Sequence, residues 1–528
     1  MSTAGTTYPH VRARSARPAS RARALDARIE IAGLVALVAG AVVLRVALVD
    51  RSLWFDELIT VLKARDTAPS LLTGLASDVH PPLYYLLLHL WVGPLGTGAA
   101  AMRSLSIVWS IVCVVAVWGW SRAAFPAHSG LPAATLAAFG PFSAWYGSEV
   151  RMYAQVLALT ALAGWMAWRV LEDGPSRGRV AVLAAALAAL AWTHYFASLF
   201  IGSLGVVAAA HRLRRREARA GATWVMACCA IAWASLLPWL AFVVERRGAT
   251  APDPTHYPVP DFYSVAIAGL EMLVGFPSFS ALGVLAAGWP VICLAALVLL
   301  PHAGRLHSRT AGLLAVLALP AAVLVSFSVL GPRSVFDPRF LAVCAVPLYV
   351  LAGRLLAGLR GWMLGPAVGI VAAGAVGASL WQNTSRTNPK LYDYRQALAA
   401  INARARPGDA IMLMPNFAAA GVPGNPVFDY YRPRPGLAVI DTSRIGQATP
   451  AGTGRAVRDA WRQVQQMRPA RVFTIDAFSH DQERGRRAAA TARGFLRYHA
   501  RTLARVSLPN ASVTEYLTYW GQHDARHR

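Results

Sequence analysis

The feature that most constrains this chain is a series of apolar runs, each close to the length that crosses a lipid bilayer. A helix needs about 20 mostly apolar residues to span a hydrocarbon core of about 30 Å. The runs lie at residues 31–48, 105–120, 131–146, 154–170, 180–210, 222–244, 282–300, 311–330, 341–359 and 363–380. Because lipid leaves no hydrogen-bonding partner for an open backbone, this pattern predicts an α-helical polytopic membrane protein.

The run at 180–210 is too long for one span and carries Thr193, His194 and Tyr195 at its middle. Polar residues at the centre of an apolar run are expensive in lipid, so we expect two shorter helices there. The segment Pro82 to Val92 is also apolar, but it is not counted as a span, because the orientation derived below keeps the whole loop 50–103 on the outer side of the membrane. Reading 180–210 as two helices gives about 11 transmembrane helices.

The composition supports a membrane protein and argues against a soluble protein, a nucleic-acid-binding protein and a cysteine-based disulfide or metal site. Charged residues make up 15% of the 528 residues and hydrophobic residues 56%, whereas a soluble protein has about a quarter charged. The net charge of +25 does not indicate nucleic acid as a partner, because the basic residues punctuate apolar runs instead of sharing one solvated face. The five cysteines have neither disulfide-framework nor metal-ligand spacing.

Arginine in the short loops predicts the orientation. Short cytoplasmic loops are enriched in Lys and Arg, and the N-terminal tail 1–28 is arginine-rich, so we place that tail in the cytoplasm. The same rule assigns these arginines to the cytoplasmic side: Arg122, Arg177, Arg179, Arg212, Arg214, Arg215, Arg216, Arg219, Arg305, Arg309, Arg354 and Arg360. The first loop, 50–103, and the segments 149–153, 245–263 and 331–339 then lie outside.

The last 147 residues change in character, because no long apolar run remains after residue 381. Strands are predicted at 410–414, 437–440, 472–475 and 513–519, and helices at 392–405, 455–467 and 482–495. The segment Pro423-Gly424-Asn425-Pro426 reads as a turn and not as a phosphate-binding loop. The chain is thus divided into a tail (1–28), a transmembrane domain (29–381) and an extracytoplasmic α/β domain (382–528).

The informative polar residues are those that the orientation rule does not explain. In the first outer loop, Asp56 and Glu57 follow Trp54 and Phe55, and Asp78 and His80 come later. Carboxylates at the depth where aromatic rings anchor are costly to ionise, so they favour a functional role. A solvated loop with an aromatic anchor is the alternative.

Two further outer segments carry arginine against the orientation rule. The tight connection 146–153 contains Glu149, Arg151 and Tyr153, and the turn 331–339 contains Arg333 and Arg339. Arginine on the outer side indicates an anionic partner, although Arg333 would equally pair with Asp337.

Two residues near these segments complete the set. Arg103 opens a span on the outer side. His194 is more typical of a core histidine than of a ligand.

These residues together suit one chemistry, the transfer of a sugar from a lipid-linked phosphate. A carboxylate accepts the proton of an acceptor hydroxyl. Arginine stabilises the charge that develops on the departing phosphate, and no general acid is needed. A single displacement of this kind inverts the anomeric configuration.

At these positions the sequence resembles the membrane-embedded GT-C glycosyltransferases, and in particular the family 39-like group. That group includes protein O-mannosyltransferases and the aminoarabinose and galacturonic acid transferases of bacterial envelopes. The segments that carry the resemblance are Trp54-Phe55-Asp56-Glu57, His80-Pro81-Pro82-Leu83-Tyr84-Tyr85, Arg103-Ser104-Leu105, Glu149-Val150-Arg151-Met152-Tyr153 and Pro338-Arg339-Phe340-Leu341. The resemblance implies that Asp56 is the catalytic base and that 82–92 is a helix lying along the membrane.

The chain departs from the resembled pattern at two positions. His80 stands where many members have lysine, which leaves a phosphate contact, a metal contact and a hydrogen bond as open roles. Phe340 stands where many have tyrosine, so a hydroxyl is lost beside Arg339.

The predicted site therefore has three groups. Asp56 and Glu57 are the predicted catalytic residues. The predicted contacts to the donor phosphate are Arg339, Arg151, Arg103, Arg333 and His80. The predicted contacts to acceptor or sugar are Trp54, Glu149, Tyr153, Asp78, Tyr84 and His194. No cofactor is required by this set, but Asp56, Glu57 and His80 would be the ligands of a divalent metal if the loop brought them together.

The sequence thus predicts an inverting transferase in a bacterial plasma membrane. The donor would be a polyprenyl-phosphate sugar, and the acceptor a hydroxyl of an extracytoplasmic polysaccharide, glycolipid or protein. Abundant Ala and Arg with almost no Lys is typical of GC-rich bacteria, which suggests mannose or arabinose. One alternative is a polymerase or ligase with lipid-diphosphate donors, for which an outer Arg and His pair is expected. The other is a transporter or flippase, whose polar residues should line a path at mid-membrane.

Overall fold

Long apolar helices form most of the chain in the computed structural model. The structure describes residues 16–247, 257–276, 308–414, 426–440, 442, 450–477, 483–508 and 511–520, except for positions 77, 79, 360, 386, 387 and 389. In these ranges, 8 helices are long and apolar enough to cross a membrane. The chain is therefore a membrane protein, as predicted.

The helices are numbered in chain order. Their bounds are α1 (Ala16–Ala47), α2 (Phe55–Arg65), α3 (Ala68–Ala76), α4 (Leu83–Leu95), α5 (Ala99–Ala124), α6 (Gly130–Phe139), α7 (Pro141–Tyr146), α8 (Tyr153–Asp173), α9 (Arg177–Thr193), α10 (Ser198–Arg214), α11 (Arg219–Arg247), α12 (Phe262–Val274), α13 (Ser308–Leu330), α14 (Ala342–Leu356), α15 (Gly361–Thr384), α16 (Tyr394–Asn402), α17 (Pro426–Tyr431), α18 (Pro450–Met467) and α19 (Glu483–His499).

Most predicted spans coincide with observed helices. The run at 180–210 forms two helices, α9 and α10, separated by His194 and one 3-10 turn, as predicted. The segment after Pro82 forms the short helix α4. The predicted span 282–300 lies outside the described residues.

The predicted span at 131–146 is broken into the short helices α6 and α7. Pro141 has no backbone N–H to continue the hydrogen bonds of α6, and Gly140 before it leaves the helical conformation (φ −55°, ψ 133°), so α7 begins as a separate helix at Pro141. The carbonyls of Ala137 and Ala138 accept hydrogen bonds from the buried guanidinium of Arg45 at 3.1 and 2.6 Å. A buried arginine and freed carbonyls thereby satisfy each other within the bundle.

The arginines of the predicted cytoplasmic loops and the polar residues of the predicted outer segments lie at opposite ends of the bundle. At one end, Glu172 accepts a hydrogen bond from Arg309 and forms an ion pair with Arg215 at 3.9 Å, and both arginines come from predicted cytoplasmic loops. At the other end lie the connections that precede α2, α8 and α14, because successive spans alternate in direction. The compartment that each end faces stays a prediction.

The C-terminal part contains a five-stranded mixed sheet of order β2-β1-β3-β5-β4. Its strands are β1 (Ala410–Leu413), β2 (Ala438–Ile440), β3 (Arg471–Ala477), β4 (Ala500–Leu508) and β5 (Ala511–Thr518). Strand β1 pairs in parallel with β2 and β3, whereas β5 pairs antiparallel with β3 and β4. The predicted α/β character is therefore confirmed, with one additional strand, β4, at the edge.

The C-terminal part shares a hydrophobic core with the membrane part. Tyr394, Phe428 and Phe473 belong to the same buried cluster as Trp54 and Leu58. Helix α17 packs against α2. The sheet therefore lies against the same end of the bundle as the predicted site residues.

Candidate active site

The two predicted catalytic acids stand side by side in the first turn of α2 but point to different surroundings. Consecutive residues on a helix are rotated by about 100°. The Asp56 side chain is 25% exposed, whereas the Glu57 side chain is fully buried. The helix therefore presents one carboxylate to the open side and the other to the interior.

Asp56 forms an ion pair with Arg339. Arg339 Nη1 donates to Asp56 Oδ2 at 2.8 Å, and its Nε donates to Asp337 Oδ2 at 3.0 Å. Burial opposes ionisation of Asp56, but the charges of Arg151 and Arg339 outweigh it and hold the pKa of the carboxyl below its ordinary value. Asp56 is consequently an ionised, partly accessible carboxylate at neutral pH.

Arg151 supplies the second positive charge near Asp56. It lies in the connection before α8, and its Nη1 donates to Thr60 Oγ1 at 2.9 Å and to Tyr85 OH at 3.4 Å. Its Nε has no hydrogen-bond partner among the described residues. A buried guanidinium with an unused donor is suited to bind an anion.

His80 contacts the Arg151 side chain from the first loop. His80 Nε2 lies 3.5 Å from Arg151 Nη2, and its Nδ1 lies 3.1 Å from Asp78 Oδ1. Burial and the charges of Arg151 and Lys63 hold the pKa of His80 well below its ordinary value, so the imidazole is neutral at pH 7. Lys63 pairs with Asp78, and burial with the charge of Arg151 lowers the pKa of Lys63 to about 8.

Glu57 and Arg103 form a sealed pair in which both side chains are 0% exposed. Arg103 Nε and Nη2 donate to Glu57 Oε1 and Oε2 at 3.0 and 2.7 Å. The remaining N–H groups of Arg103 bind backbone carbonyls of Val49, Arg51 and Ser52. The structure thus leaves Arg103 no donor for the predicted phosphate contact.

Glu57 is equally saturated by the protein. Besides Arg103, the backbone N–H groups of Trp54 and Val150 donate to its carboxylate at 3.2 and 2.8 Å. These contacts fix the start of α2 against the connection before α8, and the predicted catalytic or metal contact of Glu57 stays a prediction.

The structure does not assemble the predicted metal-ligand set of Asp56, Glu57 and His80. Among the described residues, no three His, Cys, Asp or Glu side chains form a group that would hold a metal ion. The reason is that Glu57 faces Arg103, while Asp56 faces Arg339.

A second buried acid, Glu149, lies behind Trp54. The Trp54 indole N–H donates to Glu149 Oε1 at 2.5 Å, and Glu149 Oε2 has no hydrogen-bond partner within the described ranges. Burial raises the pKa of Glu149 against the opposing charge of Lys390.

Lys390 is a site residue that the sequence did not predict, as is Lys63. Its ammonium donates to Tyr146 OH at 3.0 Å and lies 3.8 Å from the ring centroid of Phe276. Burial lowers the pKa of Lys390. A signal was present, because Lys63 and Lys390 are the only lysines of the sequence and both lie at this site.

Aromatic side chains form a wall next to these charges. His194 lies between Tyr153 and Phe340, with ring centroids 5.8 and 5.6 Å away, and Phe340 stacks on Phe196 at 4.5 Å. Tyr153 OH and His194 Nε2 are buried and have no hydrogen-bond partner in the described part of the chain. Rings with unused polar atoms are suited to contact a sugar.

The remaining predicted residues are less central. Arg333 is exposed, and Asp337, its suggested partner, binds Arg339 instead. Tyr84 is fully buried and packs edge to face on Tyr85 at 5.8 Å. These positions leave Arg339 as the arginine of the 331–339 turn that reaches the Asp56 carboxylate.

Comparison with solved structures identifies the fold. The apo structure of ArnT from Cupriavidus metallidurans matches with a TM-score of 0.57 at 13% identity, over 91% of this chain and 97% of that chain. The structure of the same protein bound to undecaprenyl phosphate matches with a TM-score of 0.56 at 13% identity, over 92% and 98% of the two chains. The chain has the GT-C fold.

The other comparisons add less. The arabinofuranosyltransferase AftD from Mycobacteria matches with a TM-score of 0.48 at 16% identity, over 92% of this chain and 40% of that chain. No family model and no curated protein sequence matches. Within the GT-C fold, the pair of Asp56 and Arg339 lies at the end of the bundle that carries the C-terminal sheet.

Proposed function

We propose that this GT-C protein is an inverting glycosyltransferase. It takes a sugar from a polyprenyl-phosphate donor and places it on a hydroxyl of an extracytoplasmic polysaccharide, glycolipid or protein. The observation that carries the proposal is the ionised Asp56 carboxylate, partly exposed and 2.8 Å from Arg339. Such a group accepts a proton at neutral pH beside charges that attract a phosphate.

The proposed reaction is a single displacement at the anomeric carbon. The acceptor hydroxyl donates its proton to Asp56 Oδ1, the oxygen that does not bind Arg339, while its oxygen attacks the anomeric carbon. The bond from that carbon to the phosphate oxygen breaks, and the phosphate leaves with the electron pair. Arg339 and Arg151 stabilise the growing negative charge, which is stronger in the transition state than in the donor.

The donor assignment has structural support from the fold. ArnT, which shares the fold, has been solved with undecaprenyl phosphate. Among the described residues, Arg339 and Arg151 have unused donors near Asp56, and neutral His80 lies beside Arg151. We assign Arg339 and Arg151 to the lipid phosphate, and His80, which contacts Arg151 and Asp78, to the orientation of the Arg151 guanidinium.

The sugar and acceptor would contact the aromatic wall. Tyr153 OH and His194 Nε2 offer unused polar atoms next to Phe340. Of the other proposed sugar or acceptor contacts, Trp54 binds Glu149, Tyr84 packs on Tyr85, and Asp78 contacts His80 and Lys63. Mannose and arabinose remain the proposed sugars, and the site faces outward if the N-terminal tail is cytoplasmic.

The test is transfer by the purified protein in lipid nanodiscs, offered a panel of polyprenyl-phosphate sugars and polyprenyl-diphosphate sugars. We expect transfer from a monophosphate donor with inversion, read from the linkage of the product. Transfer from diphosphates alone would instead support a polymerase or ligase. Movement of the donor across a proteoliposome without transfer would support a flippase.

The variant Asp56→Asn should reduce the transfer rate by about 1,000-fold, since general-base catalysis contributes about 10²–10⁴. Donor binding and thermal stability should stay close to wild type. Asp66→Asn is the matched control, because Asp66 is an exposed acid at the other end of α2. Near-normal transfer by Asp56→Asn would overturn the assignment of the base.

A further inference from the structure

The short segment that leads into α2 is held from two sides. Residues 49–52 offer three backbone carbonyls to Arg103 on the membrane side. The C-terminal domain contacts the same segment from the opposite side. The position of Asp56, a few residues further on, depends on where this segment is fixed.

Tyr431, at the end of α17, makes the central contact from the C-terminal domain. The backbone N–H of Leu53 donates to Tyr431 OH at 2.7 Å, and Ser52 Oγ lies 3.0 Å from the same oxygen. Leu53 is fully buried. Loss of the tyrosine oxygen would therefore leave a buried backbone donor without its acceptor, which is costly.

Arg395, in α16, strengthens the same attachment. Its Nη2 donates to the carbonyl of Asp50 at 3.0 Å, and its backbone N–H donates to Ser52 Oγ at 3.2 Å. Two elements of the C-terminal domain thus converge on residues 50–53.

Lys390 holds the other flank of the segment. Its ammonium lies 5.9 Å from the Trp54 ring centroid and carries the charge opposite Glu149, which accepts from the Trp54 indole. Trp54 is the residue at which α2 is capped. Both sides of the turn before Asp56 are consequently attached to residues after the last spanning helix.

We infer that the C-terminal domain is a working part of the active site, in which Tyr431 is a positioning residue for the Asp56 carboxylate. The inference rests on the proposed function, because it assigns Asp56 a role in turnover. Misplacement of a reacting group by about 1 Å lowers a rate by up to about 100-fold.

The test compares Tyr431→Phe with Tyr430→Phe in the full chain. Both changes remove one hydroxyl from adjacent residues that join the C-terminal domain to the first loop. Tyr430 OH, however, binds the carbonyl of Thr97 at 3.2 Å and not the segment before α2. Tyr431→Phe should lower kcat by about 10- to 100-fold with little change in the KM for the donor, and Tyr430→Phe should leave both close to wild type.

The pH profile separates positioning from a general loss of folded protein. The charged groups that face Asp56 are Arg339 with Asp337, Arg151 and Lys63, and the other titratable groups near it are His80, Tyr85, Tyr153 and Tyr394. Because the arginines hold the pKa of Asp56 below its ordinary value, activity should fall only as the pH drops through that lowered pKa. Displacing the carboxylate from Arg339 raises its pKa, so the acid limb should move to higher pH in Tyr431→Phe alone.

Hydrogen exchange provides a readout that does not require turnover. The amide of Leu53 loses its acceptor in Tyr431→Phe, so exchange in the peptide that covers 50–58 should be faster, while Tyr430→Phe leaves it unchanged. Ser52→Ala should change exchange in the same direction but less. Unchanged exchange and an unmoved acid limb in Tyr431→Phe would overturn the inference, whereas a wild-type protein that transfers no sugar would overturn the proposed function instead.

Discussion

Two neighbouring acid and arginine pairs in this protein differ in almost every physical respect. Glu57 and Arg103 are both 0% exposed, whereas Asp56 and Arg339 are 25% and 20% exposed. The shortest distances within the pairs are nearly the same, 2.7 and 2.8 Å. Ion-pair geometry alone therefore does not distinguish them.

The difference lies in what each pair leaves unused. Four donors saturate the Glu57 carboxylate, and every N–H of Arg103 binds protein. Asp56 Oδ1 and Arg339 Nη2 have no protein partner among the described residues. A saturated pair can only hold structure, whereas a pair with unused atoms at a surface can exchange a proton or bind an anion.

The substitution expected to have the largest effect is Glu57→Gln, which removes the charge of the acid in the saturated pair with Arg103. The amide would present donors to Arg103 and leave its charge uncompensated, and breaking a buried pair costs about 3–5 kcal/mol. We expect a large drop in thermal stability or in the yield of folded protein, measured by thermal unfolding in detergent.

The neighbouring change Asp56→Asn is the matched control for stability. It is the same acid-to-amide change one residue away, in a pair that water reaches, where ion pairs contribute about 0–1 kcal/mol. If Glu57→Gln were stable but inactive and Asp56→Asn were active, Glu57 would be the catalytic acid residue and Asp56 the structural one, which is the reverse of our assignment.

The substitution Arg339→Lys tests the pair of Asp56 and Arg339, which we call the open pair because Asp56 Oδ1 and Arg339 Nη2 are unused in the described part of the chain. Lysine keeps the positive charge but lacks the planar guanidinium. In Arg339 that group binds both Asp56 and Asp337 and still offers Nη2 to a phosphate. Since hydrogen bonds to charged groups contribute about 1.5–3 kcal/mol, donor binding should weaken by about 10- to 100-fold.

The measurement is a titration of nanodisc-embedded protein with labelled donor lipid. Arg354→Lys is the control, because Arg354 is an exposed arginine in the last turn of α14, the helix that follows Arg339. Equal weakening by both variants would mean that Arg339 acts through overall charge and not through contact.

The transmembrane helices were predictable from the sequence, because the length of an apolar run largely decides whether it crosses the bilayer. Apolar length fixed the spans because lipid requires it, and the polar centre of 180–210 correctly indicated two helices. The same rule missed the break at Gly140, since it scores the apolar content of 131–146 and not the missing N–H of Pro141. The strand rule likewise missed β4, which carries Arg501 and Arg505 and has no apolar run.

The sequence predicted which polar residues would lie together at one end of the bundle, but not which of them the protein itself would saturate. Sequence marked Asp56, Glu57, Arg103 and Arg339 because all lie at one end of the spans. Only the resemblance singled out Asp56 among them, because adjacent acids diverge only once the helix is packed, and the partner of each arginine lies far along the chain. Lys390 was missed for the same reason, since it reaches Glu149 only through the docking of the C-terminal domain.

The smallest expected effect concerns divalent cations. Both carboxylates of α2 already pair with a guanidinium, and Arg151 and Arg339 add positive charge around Asp56, so a cation would have to displace an arginine and overcome its repulsion. We therefore expect the transfer rate to stay unchanged as a chelator is titrated at constant ionic strength, with metal content followed by elemental analysis. A loss of activity that Mg²⁺ or Mn²⁺ restores would contradict this. It would mean that Asp56 leaves Arg339 on binding the donor, and that the open pair is a resting state of the site.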